Sequence, residues 1–117
     1  MENKITFPKY QILNSHNHQF HWLLWSVNGR VILKSSETYV NKTNCLVGIE
    51  SSRKNTADNN FQKDVATNGQ FYFRQISSGN YKQLGNSEMY TTSKERDEGI
   101  IAVKRDAPIA NIEDKSI

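Results

Sequence analysis

The fold is decided by two stretches, SSETYVNKTNCLVGIESSRKN (35–55) and NSEMYTTSKERDEGIIAVKRD (86–106), which align without a gap at a shift of 51 residues. A repeat at constant spacing indicates that one structural unit occurs twice. Upstream, Gln19-Phe20 coincides with Gln70-Phe71 at the same shift. The identical positions in the two stretches are Ser36, Glu37, Tyr39, Gly48 and Ile49, which coincide with Ser87, Glu88, Tyr90, Gly99 and Ile100.

The residues before each stretch predict β-strands. QFHWLLWS (19–26) and QFYFRQIS (70–77) are rich in the aromatic and β-branched residues that strands favour. Because side chains alternate along a strand, Phe20, Trp22 and Leu24 share one face. We expect that face to pack against the rest of the core.

Turn signals and a third strand follow in each copy. Asn28-Gly29 is a strong signal for a hairpin, and its counterpart Ser78-Gly79-Asn80 is also rich in turn residues. The third predicted strands are RVILKS (30–35) and YKQLGN (81–86).

A helix is predicted next. Asn41 and Thr92 hold equivalent positions and suit an N-cap, because their side chains accept hydrogen bonds from the first helical turn. Gly48 and Gly99 lie inside the two helices, where glycine costs about 1 kcal/mol relative to alanine. Glycine at this position in both copies predicts a close approach of helix to sheet.

Composition indicates a polar single domain. The 117 residues are 36% hydrophobic and carry a formal net charge of +3. The chain has no apolar run long enough to span a membrane, and its start, MENKITFPKYQIL, lacks the apolar region of a secretory signal. Cys45 is the only cysteine, so no internal disulfide can form. We therefore expect a cytoplasmic protein.

This combination resembles the bacterial YegP-like family, a domain of unknown function. The clearest match lies in the second copy, in Asn68-Gly69-Gln70-Phe71-Tyr72-Phe73, Ser87-Glu88-Met89-Tyr90 and Gly99-Ile100. The resemblance covers roughly residues 7–114. The family brings no established activity, ligand or catalytic residue to carry over.

The resemblance implies an α+β fold of two tandem β-β-β-α-β repeats, residues 7–57 and 58–114, in a single domain spanning 1–117. The repeats would form a single antiparallel sheet with two helices on one face. Each repeat would exchange its C-terminal strand with the other, around residues 61–65 and 109–113.

The three histidines, His16, His18 and His21, lie within HNHQFH. Histidine is a common metal ligand, but zinc needs further ligands, and no cysteine or carboxylate lies nearby in sequence. The shift of 51 maps the three onto Thr67, Gly69 and Tyr72, in a turn that enters a strand. We predict a turn that carries histidines, with no metal site and no cofactor.

The repeat signature consists of Ser36, Glu37, Tyr39 and Gly48 with Ser87, Glu88, Tyr90 and Gly99. Acid–base chemistry is one interpretation. No histidine or lysine accompanies both copies, so a structural role is predicted and the chain is not predicted to be an enzyme. For Cys45, a partly buried unreactive thiol is preferred to a nucleophile.

Four outward positions form the candidate interaction surface: Leu23, Trp25, Tyr72 and Ile76. Leu23 and Trp25 alternate with the predicted core face, so they would lie on the opposite face with the other two. Aromatic residues are enriched where proteins meet partners. The alternative is that a loop, a terminus or the sheet twist covers them. The sequence thus favours a non-enzymatic protein-interaction module that binds an unknown protein or a second copy.

Weak nucleic-acid binding is the alternative function. Trp25 or Tyr72 would stack on a base, while basic side chains contact phosphate. Residues 1–55 hold 7 Lys and Arg against 3 Asp and Glu, and the remainder holds 8 against 9, a weak basic bias. The basic candidates are Arg30, Lys34, Arg53 and Lys54.

Overall fold

The computed structural model describes residues 6–117, which form seven strands and two α-helices. The elements in chain order are β1 (Lys9–Asn14), β2 (Phe20–Trp25), β3 (Val31–Ser35), α1 (Lys42–Lys54), β4 (Phe61–Val65), β5 (Phe71–Ile76), β6 (Gln83–Asn86), α2 (Ser93–Asp106) and β7 (Asn111–Asp114). The strands, turns and helices predicted in each copy are therefore present.

All seven strands belong to one sheet, in the order β4-β5-β6-β3-β2-β1-β7. The predicted α+β class is confirmed, but the sheet is mixed, because β7 runs parallel to β1 while the other pairs are antiparallel. After α2 the chain returns to the end of the sheet where β1 begins. β7 therefore starts opposite Lys9, at Asn111, and runs in the same direction as β1.

The exchange of C-terminal strands is present in both halves. β4 follows the first helix but pairs with β5 of the second copy, and β7 follows the second helix but pairs with β1 of the first. β4 also opens the second copy, because a turn at 66–70 joins it to β5 just as a turn at 15–19 joins β1 to β2. One strand thus serves both units, which is why the sheet has seven strands where two separate units would supply eight.

Both helices pack on one face of the sheet. The Tyr10 hydroxyl lies 2.7 Å from Ser52 Oγ of α1, and a Cβ on Gly99 of α2 would lie 3.1 Å from the Phe73 ring. We call the other face, which turns away from both helices, the open face. The fully buried side chains of the helix-covered face include Tyr10, Ile12, Trp22, Leu24, Leu33 and Phe73.

Helix starts and helix glycines behave as predicted. The Asn41 side chain accepts from the Asn44 N–H at 2.8 Å, and the Thr92 hydroxyl accepts from the Glu95 N–H at 3.1 Å. A Cβ on Gly99 would lie 2.5 Å from the Tyr90 hydroxyl oxygen. Such a contact is not tolerated in folded proteins, so the close approach predicted for the glycines is confirmed.

A buried polar cluster joins the two copies beneath the sheet. Ser52 Oγ donates to Gln75 Oε1 at 2.7 Å and lies 2.7 Å from the Tyr10 hydroxyl. Gln75 Nε2 donates to the backbone carbonyls of Ser52 and Asn55, at 2.9 and 2.7 Å. Burial raises the pKa of Tyr10, so its hydroxyl stays protonated. Every side-chain polar group of the cluster has a partner, as buried polar groups require.

Candidate interaction surface

The four candidate contact residues lie on the open face in two separate pairs. Leu23 and Trp25 lie on β2, and Tyr72 and Ile76 lie on β5. All four side chains are half-buried. Strands β3 and β6 lie between the two pairs, so the pairs are about 14 Å apart at the usual strand spacing. The structure therefore forms two apolar spots and not one continuous patch.

Polar side chains occupy the row of the sheet that connects the two spots. Leu23 is opposite Lys34, Lys34 is opposite Asn86, and Asn86 is opposite Arg74. Arg74 occupies the place of Leu23 in the second copy and donates to Asp64 at 2.6 Å. A partner that spans both spots would thus meet apolar contacts at its ends and polar groups between them.

Trp25 is held in one orientation by neighbours on β1 and β7. Its indole Nε1 donates to Gln11 Oε1 at 3.1 Å, and Gln11 Nε2 donates to Glu113 at 2.8 Å. The Phe7 ring packs against the indole at a centroid distance of 5.8 Å. Lys9 pairs with Glu113 at 2.9 Å, and its ammonium lies 5.9 Å from the indole centroid. The residues that fix Trp25 are distant in sequence, so the sequence patterns do not reveal them.

The repeat signature forms the contact between each helix and the sheet. Tyr39 and Tyr90 each pair through backbone bonds with the start of the neighbouring strand, at Phe20 and Phe71. The rings then lie over the helix glycines. Burial raises the pKa of both tyrosines, so their hydroxyls are protonated near neutral pH and do not supply a general base.

The serine of the signature differs between the copies. Ser87 Oγ accepts from the Phe73 N–H at 3.0 Å, whereas the equivalent bond, from Trp22 N–H at 3.2 Å, is accepted by Ser35 and not by Ser36. The cause is the turn after β5, which closes from Ser77 to Lys82 and is one residue longer than its counterpart after β2. The predicted equivalence of Ser36 and Ser87 therefore holds in sequence but not in hydrogen bonding.

Each signature borders a shallow groove closed by the other copy's turn. Glu37 and Tyr39 line a groove of about 350 Å³, where Lys82 pairs with Glu37 at 3.1 Å. Glu88 and Arg30 line the corresponding groove of about 500 Å³. In the first groove Glu37 is thus already paired with a lysine, and in the second the Thr91 hydroxyl donates to the Glu95 carboxylate at 2.7 Å.

The histidines lie in and beside the predicted turn. Asn17 and His18 have left-handed backbone angles, φ 60° and 61°, and Gly69 has φ 85° at the position equivalent to His18. His21 Nδ1 lies 2.5 Å from Ser15 Oγ, and desolvation lowers the pKa of His21. Within residues 6–117, no group of three or more His, Cys, Asp and Glu side chains is arranged to hold a metal ion.

Cys45 and the basic candidates have specific surroundings. Cys45 is fully buried, and burial raises its pKa to about 11, so the thiol is protonated at neutral pH. Arg53 lies on the helix side of the molecule and donates to the carbonyls of Ala107 and Ala110, at 3.3 and 2.8 Å. Lys34 is on the open face. The basic residues proposed for phosphate contacts therefore do not share one surface.

Comparison with known proteins follows the internal repeat. The family model described as "Domain of unknown function (DUF1508)" matches twice, over residues 15–61 and 66–114. The chain belongs to the DUF1508 family. The resemblance to YegP-like proteins is thereby confirmed, together with the two repeats of DUF1508.

Several DUF1508 relatives match over nearly their whole length. The UPF0339 protein YegP of Escherichia coli is 34% identical over 92% of this chain and 96% of its own. A UPF0339 protein of Pseudomonas aeruginosa is 37% identical over 92% of this chain and 97% of its own. These relatives carry no described activity in their names.

Two solution structures share the DUF1508 fold. That of E. coli YegP, described as a protein of unknown function, has a TM-score of 0.85 at 33% identity and covers 97% of both chains. That of a UPF0339 protein from Shewanella oneidensis has a TM-score of 0.84 at 35% identity and covers 92% of this chain and 91% of its own.

Within residues 6–117, no helix is both long and apolar enough to cross a membrane.

Proposed function

We propose that the protein is a non-enzymatic interaction module that binds a protein partner, or a second copy of itself, through the open face of its sheet. The observation that supports this most strongly is the position of Trp25. It lies on the face that both helices leave uncovered, and its indole is already fixed by Gln11 and Phe7. A rigid, partly exposed aromatic ring gives up little conformational entropy on binding.

The proposal includes the cellular setting. A cytoplasmic location agrees with the single buried thiol of Cys45, which has no disulfide partner in the chain. The absence of catalysis and cofactors is part of the same proposal. It is supported by the signature tyrosines, whose hydroxyls pack against glycines.

Trp25→Ala tests the proposal. We expect the variant to fold and to bind a captured partner, or a second copy, about tenfold more weakly or worse, because buried tryptophans dominate interface energies. Affinity capture from the source cell identifies the partner. Sedimentation velocity over a concentration series measures self-association.

Tyr81→Ala is the matched control. Tyr81 is 80% exposed but lies in the turn after β5, outside the four residues of the candidate interaction surface, so its removal should change neither binding nor folding. If Trp25→Ala unfolds the protein, Trp25 is a core residue and the proposal fails. If capture yields nucleic acid and binding falls steeply with salt, the nucleic-acid alternative replaces the proposal.

A further inference from the structure

The outer edge of the sheet at β4 carries backbone groups directed away from the sheet. Among residues 6–117, β4 pairs only with β5. Phe71, opposite Val65, exchanges both of its backbone hydrogen bonds with Tyr90, at 2.8 and 2.7 Å. Phe73, opposite Lys63, directs its N–H and C=O to Ser87. Because these groups point away from β4, the N–H and C=O of Lys63 and Val65 must point outward in the antiparallel pair.

The equivalent edge of the first copy is occupied. A shift of 51 residues maps β1 onto β4, with Tyr10 on Phe61 and Ile12 on Lys63. β7 lies along β1 as a parallel strand. The Lys115 N–H donates to the Ile12 carbonyl at 2.9 Å. In the first copy, the residue equivalent to Lys63 therefore already forms a backbone hydrogen bond with an added segment.

A groove between β4 and α2 adjoins this edge. Phe61, Ile100 and Ile101 line it, and its volume is about 350 Å³. Lys63 pairs with Asp97 at 3.2 Å, and Lys104 pairs with Asp58, so ion pairs cross the groove. In the first copy, Ile112 of β7 packs against the corresponding part of the core.

Side chains beside the occupied edge show what an added strand would meet. Arg53, which donates to the carbonyls of Ala107 and Ala110 ahead of β7, corresponds to Lys104 beside β4. Gln11, which donates to Glu113, corresponds to Gln62. The β4 edge thus presents a cation and an amide where the β1 edge uses a guanidinium and an amide.

We propose that the outer edge of β4 binds an extended peptide segment of another protein as an added parallel strand. The segment resembles β7: an apolar residue sits opposite Phe61, as Ile112 sits opposite Tyr10, and an acidic residue follows it to meet Gln62. Backbone bonds supply affinity and the groove supplies selectivity, as in other cases of strand addition. This site lies at the sheet edge, four strands away from β2 and Trp25, and goes beyond the function proposed above.

A peptide that copies residues 107–115, APIANIEDK, tests the proposal. Fluorescence anisotropy of the labelled peptide with the full chain should show saturable binding. The same peptide with Ile112→Asp should bind about tenfold more weakly or worse, because aspartate cannot make the apolar contact that the proposal places opposite Phe61.

Lys63→Pro and Lys63→Ala form the decisive pair of protein variants. Proline at this position removes the outward N–H but leaves the bonds between β4 and β5 intact, as proline does on an edge strand. Both variants lose the ion pair with Asp97, so the alanine variant controls for that loss. We expect Lys63→Pro to weaken peptide binding about tenfold relative to Lys63→Ala, with both proteins folded by circular dichroism.

Other results overturn the proposal in distinct ways. Peptide binding that Lys63→Pro leaves unchanged would mean that the peptide displaces β7 from β1. A peptide that does not bind, with a wild-type dimer that Lys63→Pro dissociates, would assign the edge to a second copy. Trp25→Ala should leave peptide binding unchanged, so the fate of this proposal is independent of the open-face proposal.

Discussion

At the residue scale, the two copies differ most clearly in the turn that enters the second strand of each. His18 adopts φ 61° where Gly69 adopts φ 85° in the other copy. The left-handed region costs a residue with a Cβ about 1–2 kcal/mol, whereas glycine enters it freely. The backbone angle at His18 is thus one that glycine adopts more easily than histidine. The histidine is a variation on a turn that the second copy builds with glycine.

His18→Gly should therefore stabilise the protein. We expect the free energy of unfolding to rise by about 0.5–1 kcal/mol, since glycine relieves the backbone strain but loses more entropy on folding. Urea denaturation measures the change. His16→Gly is the control, because His16 lies in the same turn without a positive φ. An equal loss of stability in both variants would contradict this account of the turn.

At the element scale, β7 depends on side chains as well as on backbone pairing. Glu113 accepts from Lys9 at 2.9 Å and from Gln11 at 2.8 Å, and these hydrogen bonds lower the pKa of Glu113. The same carboxylate supports Gln11, which holds Trp25. The last strand of the chain therefore contributes to the order of the open face.

Acid should weaken this element. The pKa of Glu113 in the folded protein is below its ordinary value near 4.5, so its stabilising contribution is present at neutral pH. That contribution is lost as the pH falls below this value and through the folded pKa. Glu113→Gln should consequently lose less stability than wild type between neutral pH and about pH 3, as measured by thermal unfolding. Parallel loss in both proteins would exclude the role of Glu113.

Most of the local structure was predictable, because its causes are local. The strand patterns, the Asn41 and Thr92 caps and the two helix glycines each act within a few residues. The one-residue extension of the turn after β5 was not predictable, and it moves the role of Ser87 to Ser35 in the first copy. The two copies still align in sequence without a gap, but the longer turn shifts the strand that follows it by one residue relative to its counterpart.

At the scale of the whole molecule, the two halves of the core have different chemistry. Tyr10, Ser52 and Gln75 form the buried polar cluster. The shift of 51 residues maps this trio onto three apolar side chains in the other half. Those counterparts are Phe61, Val103 and Leu24. The fold therefore accommodates either three polar or three apolar side chains at these positions, provided that all three are of the same kind.

This predicts a strong dependence on context. Gln75→Leu alone should lower the free energy of unfolding by about 2 kcal/mol, because two backbone carbonyls and Ser52 lose a buried partner. The triple variant Tyr10→Phe, Ser52→Val and Gln75→Leu, which copies the apolar half, should recover the part of that loss that comes from the unpaired Ser52 and Tyr10 hydroxyls, while the two carbonyls still lack the Gln75 amide. Denaturant unfolding of both variants measures the difference. A triple variant that is less stable than Gln75→Leu would contradict the equivalence of the halves.

Contacts between distant segments were beyond the sequence patterns. Trp25 was predicted on the outward face, but its partner Gln11 is itself held by Glu113, which is 102 residues away from Gln11 in sequence. The parallel pairing of β7 with β1 depends on where α2 delivers the chain. Periodicity reports which face a side chain occupies, whereas these contacts depend on how elements meet in three dimensions.

Fluorine NMR of the protein labelled with fluorotryptophan tests the central claim most directly. The chain has two tryptophans: Trp25 on the open face and Trp22, which is fully buried beneath the helices and serves as an internal reference. On addition of the captured partner, or on self-association, we predict that the Trp25 resonance shifts or broadens while the Trp22 resonance stays in place. Binding that leaves the Trp25 resonance unchanged would contradict the assignment of the open face as the contact surface.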